Sequence, residues 1–401
     1  MKIGFLLTEF PSLSETFILN QITGLIDKEE EVFVFSKRPG NFKKLQPEIE
    51  KYNLLEKTYF ANIPENKAFL LFKFLAFSPK VLFKNPKLFN TFKLKEISKR
   101  EKFELFFRGF SFLGKDIDVL ISCFGPNGRD AVFLKRMGVI NSKIIVSFFG
   151  YDLTKIFKQF NPKAYYKEVL KEADLLLPIC EFFKKKLLDI GADNKKIKVH
   201  HIGIDMDGFK FEKRKRAKKL KILTVSRLVS KKGIEYAIKA LASLKDRIDF
   251  EYKIIGEGPE KERLKSLVSK LGFEKRIEFL GAKDSIEVKK LLKKADVFLL
   301  PSITSRNGDM EGTPISLMEA MASGVFVITS CHSGISEFVK HKKTGWLAEE
   351  KNIFQIAQGV DFFVKNEILV SRILKNARSE ICKNFNIKKL NNSLYKYIRN
   401  V

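Results

Sequence analysis

Two glutamates stand eight residues apart around a Gly-Thr-Pro in the segment GDMEGTPISLMEAMASG, residues 308–324. The segment follows the strand-like run VFLLPS. Proline suits the first helical position and disfavours helix in the residue before it, so we expect a helix to begin at Pro314 with Thr313 as its N-cap. Glu311 would then lie in the loop and Glu319 on the helix.

This predicted loop and helix start have the chemistry of a phosphate-sugar site. The backbone amides of Ile315 and Ser316 would be unpaired at the helix start and would favour a phosphate. The Glu319 carboxylate could accept hydrogen bonds from ribose hydroxyls. Glu311, in the same loop as Gly312 and Thr313, could reach a sugar. The segment is therefore predicted to bind a nucleotide sugar.

An anion site also needs positive side chains, and the segment SRLVSKKG, residues 226–233, offers them directly after an apolar run. The guanidinium of Arg227 can donate a bidentate pair of hydrogen bonds to diphosphate oxygens, and the ammonium group of Lys232 can add a point charge. Together they would stabilise a departing nucleoside diphosphate without a metal.

Short apolar runs alternate with amphipathic segments along the whole chain, which predicts an α/β fold with parallel sheets covered by helices on both faces. In the first half the expected strands are 2–7, 32–36, 118–123, 143–148, 174–179 and 198–204. In the second half they are 221–226, 252–256, 277–281, 297–302 and 325–330.

The chain of 401 residues is longer than a single hydrophobic core usually stabilises, so we expect two doubly wound Rossmann-like domains. The cleft between facing domains would be the default binding site. The predicted divisions are a domain at 1–208, a linker at 209–220 containing KRKRAKK, a domain at 221–385 and a C-terminal helix at 386–401 that packs back on the first domain.

The residues 67–115 form a basic and aromatic helical segment, with 12 Lys or Arg against 3 Glu and 12 Phe. Such a mixture suits an element that lies on a membrane surface. An ordinary helical excursion that packs its Phe residues into the first domain is the open alternative.

Composition and charge narrow the classes of protein to which the chain can belong. The net charge of +28 calls for an anionic partner, but the chain has no recognisable nucleic-acid module, so no nucleic-acid partner is expected. No apolar run is long enough to span a bilayer or serve as a signal peptide, and four scattered cysteines indicate a cytoplasmic chain without disulfides.

No metal site is expected. The Asp-Met-Asp at residues 205–207 follows a predicted strand and is interpreted as a hinge turn. His200 and His201 fall in the expected strand at 198–204, where neighbours point to opposite faces, so a shared metal is not predicted. His332 and Glu337 are assigned either to a structural turn or to the lining of the donor site.

Taken together, SRLVSKKG, GEGPEKERL and EGTPISLMEA resemble the retaining GT-B glycosyltransferases of glycosyltransferase family 4, also called group 1, with Glu311 and Glu319 as their paired-glutamate signature. The N-terminal EFPSLSETFILNQI, FFGYDLT and HSGISE are similar to the branch that assembles colanic acid and other exopolysaccharides. The resemblance covers essentially the whole chain.

The resemblance implies retaining, metal-independent transfer of a sugar from a UDP- or GDP-linked donor, with no cofactor. Arg227, Lys232 and Glu311 would be the catalytic residues. The implied donor-binding residues are Glu319, Gly312, Thr313, Ile315, Ser316, Gly256 and Ser14. Many relatives carry a histidine where this chain has Phe149, which puts the donor sugar in question.

The implied acceptor is a lipid-linked saccharide of exopolysaccharide or lipopolysaccharide biosynthesis, with the protein peripheral on the inner face of the cytoplasmic membrane. A 2-epimerase that acts on the nucleotide sugar itself is the alternative enzyme.

Overall fold

The computed structural model describes residues 1–12, 15–42, 45–211 and 219–401. The chain divides into two compact units: the first contains residues 1–178, 184–200 and 391–401, and the second contains residues 179–183 and 201–390. Most of the predicted linker at 209–220 lies outside the described residues.

The first unit contains a parallel sheet of six strands among the described residues, in the order β3-β2-β1-β4-β5-β6. The strands are β1 (Lys2–Phe10), β2 (Glu31–Pro39), β3 (Thr58–Phe60), β4 (Val119–Cys123), β5 (Lys143–Phe148) and β6 (Leu175–Pro178). Its helices are α1 (Thr16–Ile26), α2 (Pro47–Lys51), α3 (Lys67–Lys84), α4 (Lys99–Phe110), α5 (Gly125–Arg136), α6 (Lys155–Gln159) and α7 (Pro162–Glu172).

Residues of α8 (Glu181–Asp189) and of α15 (Ile387–Arg399) are divided between the two units. The part of α15 in the first unit packs closely on α1. The Asn391 amide donates to the Asn20 carbonyl at 3.0 Å, and a Cβ at Gly24 would lie 1.8 Å from the same side chain. A larger residue at position 24 would displace this helix.

The second unit repeats the architecture with a parallel sheet in the order β12-β11-β10-β7-β8-β9 among the described residues. Its strands are β7 (Leu220–Val225), β8 (Phe250–Ile255), β9 (Ile277–Gly281), β10 (Val297–Leu300), β11 (Phe326–Ser330) and β12 (Trp346–Ala348). Its helices are α9 (Ile234–Ala242), α10 (Lys261–Lys270), α11 (Ser285–Leu292), α12 (Ile315–Ala322), α13 (Ile353–Lys365) and α14 (Glu367–Asn384).

Both faces of the second sheet are covered. Along β10, Val297 and Leu299 belong to one hydrophobic core cluster, while Phe298 and Leu300 belong to the cluster on the opposite face. Strands buried on both faces read as continuous apolar runs, which is why VFLLPS shows no polar alternation. The prediction of a doubly wound α/β fold is confirmed.

One expected strand, at 198–204, is wrong. The amides of Lys198 and His200 still bond to carbonyls of β6. However, the division between the units falls between His200 and His201, and this segment continues no strand of the sheet. Sequence patterns also missed β3 and β12, because three residues are too few to show a periodicity.

The segment at 67–115 is helical, as expected. It contains α3, a 3-10 helix at Pro86–Lys93 and α4. Asn66 caps α3, and a capping box formed by Ser98 and Glu101 starts α4. Among the described residues, none of the helices combines the length and the apolar composition of a bilayer-spanning segment.

Candidate functional site

Sheet topology brings the predicted site residues of the second unit to one place. From β7 the chain winds to β8 and β9 on one side, whereas β10 to β12 lie on the other side. Loops that leave the carboxyl ends of two adjacent strands with opposite winding form a natural ligand site. The loop after β7 carries Arg227 and Lys232, and the loop after β10 carries Glu311.

Lys232 and Glu311, predicted separately, form a buried ion pair. Only 10% and 13% of the two side chains is exposed. Burial favours a raised pKa for Glu311, but the charges of Lys232 and Lys231 outweigh it and lower the pKa to about 2. Burial lowers the pKa of Lys232, while the Glu311 charge opposes that shift. The Glu311 carboxylate is therefore ionised at neutral pH.

A second contact fastens the same two loops together. The ammonium group of Lys231 lies 3.1 Å from the Asp309 carboxylate and 3.2 Å from the Met310 carbonyl. The amide of Ile303 donates to the Lys231 carbonyl at 2.8 Å. The loop carrying Glu311 is thus held on either side of the ion pair.

Gly233 closes the turn after Lys232. Its φ is +64°, and a Cβ would lie 1.9 Å from the Pro301 carbonyl oxygen at the end of β10. Glycine is required both by the left-handed backbone and by the close approach of the two loops. This contact sets the spacing between Lys232 and the loop of Glu311.

Arg227 differs from Lys232 in its surroundings. Its side chain is exposed, and among the described residues no carboxylate pairs with it. The guanidinium is therefore available to an anion that enters beside the buried pair.

Gly256, predicted to bind the donor, follows β8 and packs against the β7 loop. A Cβ at this glycine would lie 1.8 Å from the Ser226 carbonyl oxygen. Its absent side chain lets the two loops meet next to Arg227. This gives Gly256 a packing role.

The helix start differs from the prediction by one residue. Helix α12 begins at Ile315, with Pro314 as its N-cap and no side-chain cap. Pro314 has ψ of 115°, an extended value, so it precedes the helix instead of opening it. The hydroxyl of Thr313 is buried and, among the described residues, bonds to nothing.

The amides of Ile315 and Ser316, at the first two positions of α12, bond to no carbonyl among the described residues. Gly312, which is buried, precedes them in the same loop. Together with the Thr313 hydroxyl they provide donors that a phosphate or sugar oxygen would satisfy.

Glu319 lies on α12, as predicted, one turn beyond Ile315. Burial raises its pKa to about 7, and the nearby Lys289 ammonium only partly opposes the shift. Within the described chain its carboxyl group makes no ion pair or side-chain hydrogen bond. Hydroxyl donors from a ligand would stabilise its ionised form.

The sequence did not predict two hydrogen bonds that hold the backbone of Glu311. The Nε2 atom of His332 accepts a hydrogen bond from the Glu311 amide at 3.0 Å, and the Ser333 hydroxyl donates to the Glu311 carbonyl. Both residues follow β11. The prediction of a structural turn at His332 is confirmed, since His332 precedes a 3-10 helix at Ser333–Glu337, and its ring contacts the backbone of a predicted catalytic residue.

Glu350 fixes the orientation of His332. Its carboxylate lies 2.5 Å from Nδ1 and also accepts from the amide of Thr304 at 2.8 Å. Because Nε2 accepts, Nδ1 carries the proton, and the ring is neutral. Glu350 lies in a charged Glu-Glu-Lys sequence after a three-residue strand, where no pattern distinguished it from a solvent-exposed residue.

The predicted contributions of the first unit are less well defined. Ser14 lies outside the described residues. Phe149 is buried between the rings of Phe17 and Phe124, with centroid distances of 4.7 and 4.8 Å. The ring of Phe149 is therefore part of an aromatic cluster.

Asp152, also missed, orders the backbone after β5. Its carboxylate accepts from the amides of Phe149, Gly150 and Gly125. Burial raises its pKa to about 6 although these hydrogen bonds oppose the shift. Asp152 shapes the loop in which Phe149 lies.

The Asp205–Asp207 pair forms a turn, as predicted. Asp205 caps a 3-10 helix at Met206–Gly208, and the carboxylate of Asp207 pairs with Lys388 at 2.6 Å. In the parts of the chain that the structure describes, no three His, Cys, Asp or Glu side chains gather as a metal site would require.

A cavity of about 560 Å³ lies beside the ion pair. It is lined by neighbours of the site residues in the same two loops, among them Ser230, Gly233 and Thr304, and by Arg263 of α10. None of the predicted site residues lines it.

The fold is shared with a nucleotide-binding structure. HepE from Anabaena, solved in complex with UDP, superposes over the whole of both chains with a TM-score of 0.74 at 16% identity. At that identity the similarity establishes the GT-B fold alone.

Sequence comparison is more specific. The family model "Glycosyl transferases group 1" matches residues 205–380. The colanic acid biosynthesis glycosyltransferase WcaL of Escherichia coli K12 is 36% identical over 405 residues, covering 98% of each chain. The amylovoran biosynthesis glycosyltransferase AmsK of Erwinia amylovora is 33% identical and covers 96% of each. The chain therefore belongs to the group 1 glycosyltransferases.

Proposed function

We propose that this protein is a retaining, metal-independent glycosyltransferase of exopolysaccharide or lipopolysaccharide biosynthesis. It transfers a sugar from a UDP- or GDP-linked donor to a lipid-linked saccharide at the inner face of the cytoplasmic membrane. The observation that carries the proposal is the buried Lys232–Glu311 pair at the switch point of the second sheet, beside the exposed Arg227.

The donor would bind through groups that now lack protein partners. The Arg227 guanidinium and the free amides at the start of α12 would hold the diphosphate oxygens. Glu319, whose partly buried carboxyl group has no donor among the described residues, would accept hydrogen bonds from the ribose hydroxyls. The contact to Glu319 would offset the desolvation of its carboxyl group in the unliganded protein.

Lys232 would act on the leaving group. Its ammonium is held at the carboxyl end of the sheet by Glu311 and can share its remaining protons with a diphosphate oxygen. Negative charge accumulates on that oxygen as the glycosidic bond breaks, so a fixed, poorly solvated cation stabilises the transition state more than the bound donor. A metal is not needed for this role.

Glu311 would orient the donor sugar. His332 and Ser333 hold its backbone, and Lys232 holds its carboxylate. One carboxylate oxygen can therefore accept hydrogen bonds from sugar hydroxyls without reorganisation. Retention with attack on the leaving-group face follows from the family resemblance. The pathway assignment rests on the similarity to WcaL and AmsK along nearly the full chain.

The 2-epimerase alternative is not favoured, because the full-length relatives above are named as glycosyltransferases. It makes a distinct prediction, namely conversion of a nucleotide sugar to its isomer in the absence of any acceptor.

The first test is thermal stability in the presence of UDP, GDP, ADP, dTDP and their sugar conjugates, with and without EDTA. We expect one diphosphate series to raise Tm, by a free energy of roughly 2.7 kcal/mol at a hundredfold excess over Kd, and EDTA to leave the shift unchanged. A shift that EDTA abolishes would contradict metal independence.

Arg227→Gln should weaken binding of the nucleoside diphosphate far more than that of the nucleoside. Arg247→Gln is the matched control, because Arg247 is exposed and pairs with Asp361 on the surface. Equal loss for both ligands would argue against the Arg227 contact. Glu311→Ala should abolish transfer while nucleotide binding persists, and NMR of the product anomer tests retention.

A further inference from the structure

Helix α3 turns an apolar face outward. Six large apolar side chains on it are between 52% and 92% exposed, namely Phe69, Leu71, Phe72, Leu75, Leu82 and Phe83. At 100° per residue they fall within one sector of about 160°. The other residues of that sector are Ala68, Ala76 and Pro79. The outward face is thus uncharged over the length of the helix.

The opposite face already packs against the first unit. Leu70 and Val81 are buried, the ring of Phe74 packs on Phe106 with a centroid distance of 4.9 Å, and Phe77 packs on Phe110 at 4.4 Å. These contacts anchor α3 without using its outward residues. The exposed face is therefore not required for folding. Single apolar residues on a protein surface are common, but a continuous apolar face of this size calls for an explanation.

Lys73 lies just outside this sector, about 40° beyond Phe69. Its ammonium group donates to the carbonyls of Ala61 and Asn62 at 2.8 and 2.6 Å. Burial lowers the pKa of this lysine. The ammonium group of this lysine is thereby tied to the protein.

Exposed lysines lie on α3 and in the chain that follows it, as far as the start of α4. Within the described residues none of them pairs with a carboxylate. They are Lys80, Lys84, Lys87, Lys93, Lys95 and Lys99. An outward apolar strip with unpaired lysines on the same helix and in the segment after it is complementary to a bilayer with anionic headgroups.

We propose that α3 is a membrane-docking element that lies along an anionic lipid surface, with Phe72 and Phe83 in the interfacial region and the lysines at the headgroups. A second copy of the chain is a poorer occupant, because pairing two such faces would bring the unpaired lysines of both copies together. This inference deepens the proposed function. It rests on that function only for the purpose of docking, which is to bring the enzyme to a lipid-linked acceptor.

The test is flotation of the full chain with vesicles of phosphatidylcholine alone or mixed with phosphatidylglycerol, at low and high salt. The wild type should bind the mixed vesicles at low salt, and binding should fall at least tenfold for Phe72→Ser/Phe83→Ser. Ile368→Ser/Leu369→Ser is the matched control, since both residues are exposed apolar side chains on α14 of the other unit. It should bind like the wild type.

Lys80→Gln/Lys84→Gln should lower binding to the mixed vesicles and reduce its salt dependence. Failure of the wild type to bind mixed vesicles, or unchanged binding by the Phe72/Phe83 variant, would overturn the proposal. So would a concentration-dependent dimer that this variant abolishes without any change in vesicle binding.

The outcomes separate docking from catalysis. With a water-soluble acceptor, the Phe72/Phe83 variant should retain wild-type transfer. If the protein binds anionic vesicles but no nucleotide sugar shifts its stability and no sugar is transferred, the proposed function fails while the docking surface stands.

Discussion

The imidazole of His332 accepts a hydrogen bond from the backbone amide of Glu311 at 3.0 Å and is oriented by Glu350 on its other nitrogen. A side chain after β11 thereby positions a residue in the loop after β10. The predicted catalytic carboxylate thus depends on a residue outside the paired-glutamate signature.

We expect His332→Ala to lower kcat at least tenfold with saturating donor, because the Glu311 loop loses its fixed position. His332→Gln should recover part of the loss, since its amide can both accept from Glu311 and donate to Glu350. Steady-state kinetics with parallel Tm measurements check this. If kcat follows Tm alone in both variants, the role of His332 is only structural.

The Lys232–Glu311 pair should show strong coupling in a double-mutant cycle. Lys232→Met leaves a buried carboxylate without its partner and should cost roughly 3 kcal/mol in the free energy of unfolding at neutral pH. Glu311→Gln added to it should recover at least about 1 kcal/mol. Urea unfolding of the four proteins measures the coupling.

The control cycle is Arg247→Gln with Asp361→Asn, an exposed pair for which we expect a coupling below about 1 kcal/mol. In Lys232→Met the pKa of Glu311 should rise, because burial remains after the opposing charge is lost. That variant should therefore regain stability as the pH falls from neutral. A pH-independent loss would show that the pair is not electrostatically coupled.

Glu319 should make the unliganded protein less stable at high pH. Its folded pKa of about 7 exceeds the ordinary value of 4.5, so between these values the unfolded chain loses a proton that the folded chain retains. Stability falls as the pH rises through this window. Glu319→Gln should raise the free energy of unfolding at pH 8 by on the order of 2–3 kcal/mol and change it little at pH 4.5.

The same carboxyl group links nucleotide binding to pH. Hydroxyl donors favour its ionised form, so wild-type affinity for the diphosphate should increase as the pH rises through 7 and remain flatter in Glu319→Gln. Calorimetric titration at pH 6 and pH 8 checks this expectation. Identical pH profiles in the two proteins would separate Glu319 from the ribose contact.

Gly233→Ala should be strongly destabilising because its Cβ would meet the Pro301 carbonyl oxygen at 1.9 Å. Gly272→Ala is the control that measures the cost of the left-handed backbone alone. Its φ is +70°, near the +64° of Gly233, and no atom would lie within 4 Å of the added Cβ. We expect about 1 kcal/mol for the control and at least about 2 kcal/mol more for Gly233→Ala. Equal values would mean that the loops separate at little cost.

The sequence by itself determined the two doubly wound units and the residue types of the candidate site. Strands such as Val297–Leu300 are apolar on both faces, and that local pattern requires helices on both sides. Glu311 and Glu319 were identifiable because a proline and a short signature mark the loop and helix that carry them.

Only the tertiary structure decided which groups meet. Lys232 and Glu311 are far apart in the chain, and their pairing depends on β7 and β10 being neighbours. The contact from Glu350 through His332 to Glu311 joins three loops, none of which carries a local signal for it. The outward face of α3 was equally ambiguous in sequence, because Phe residues occur all round the helix and only packing assigns some to the interior and others to the surface.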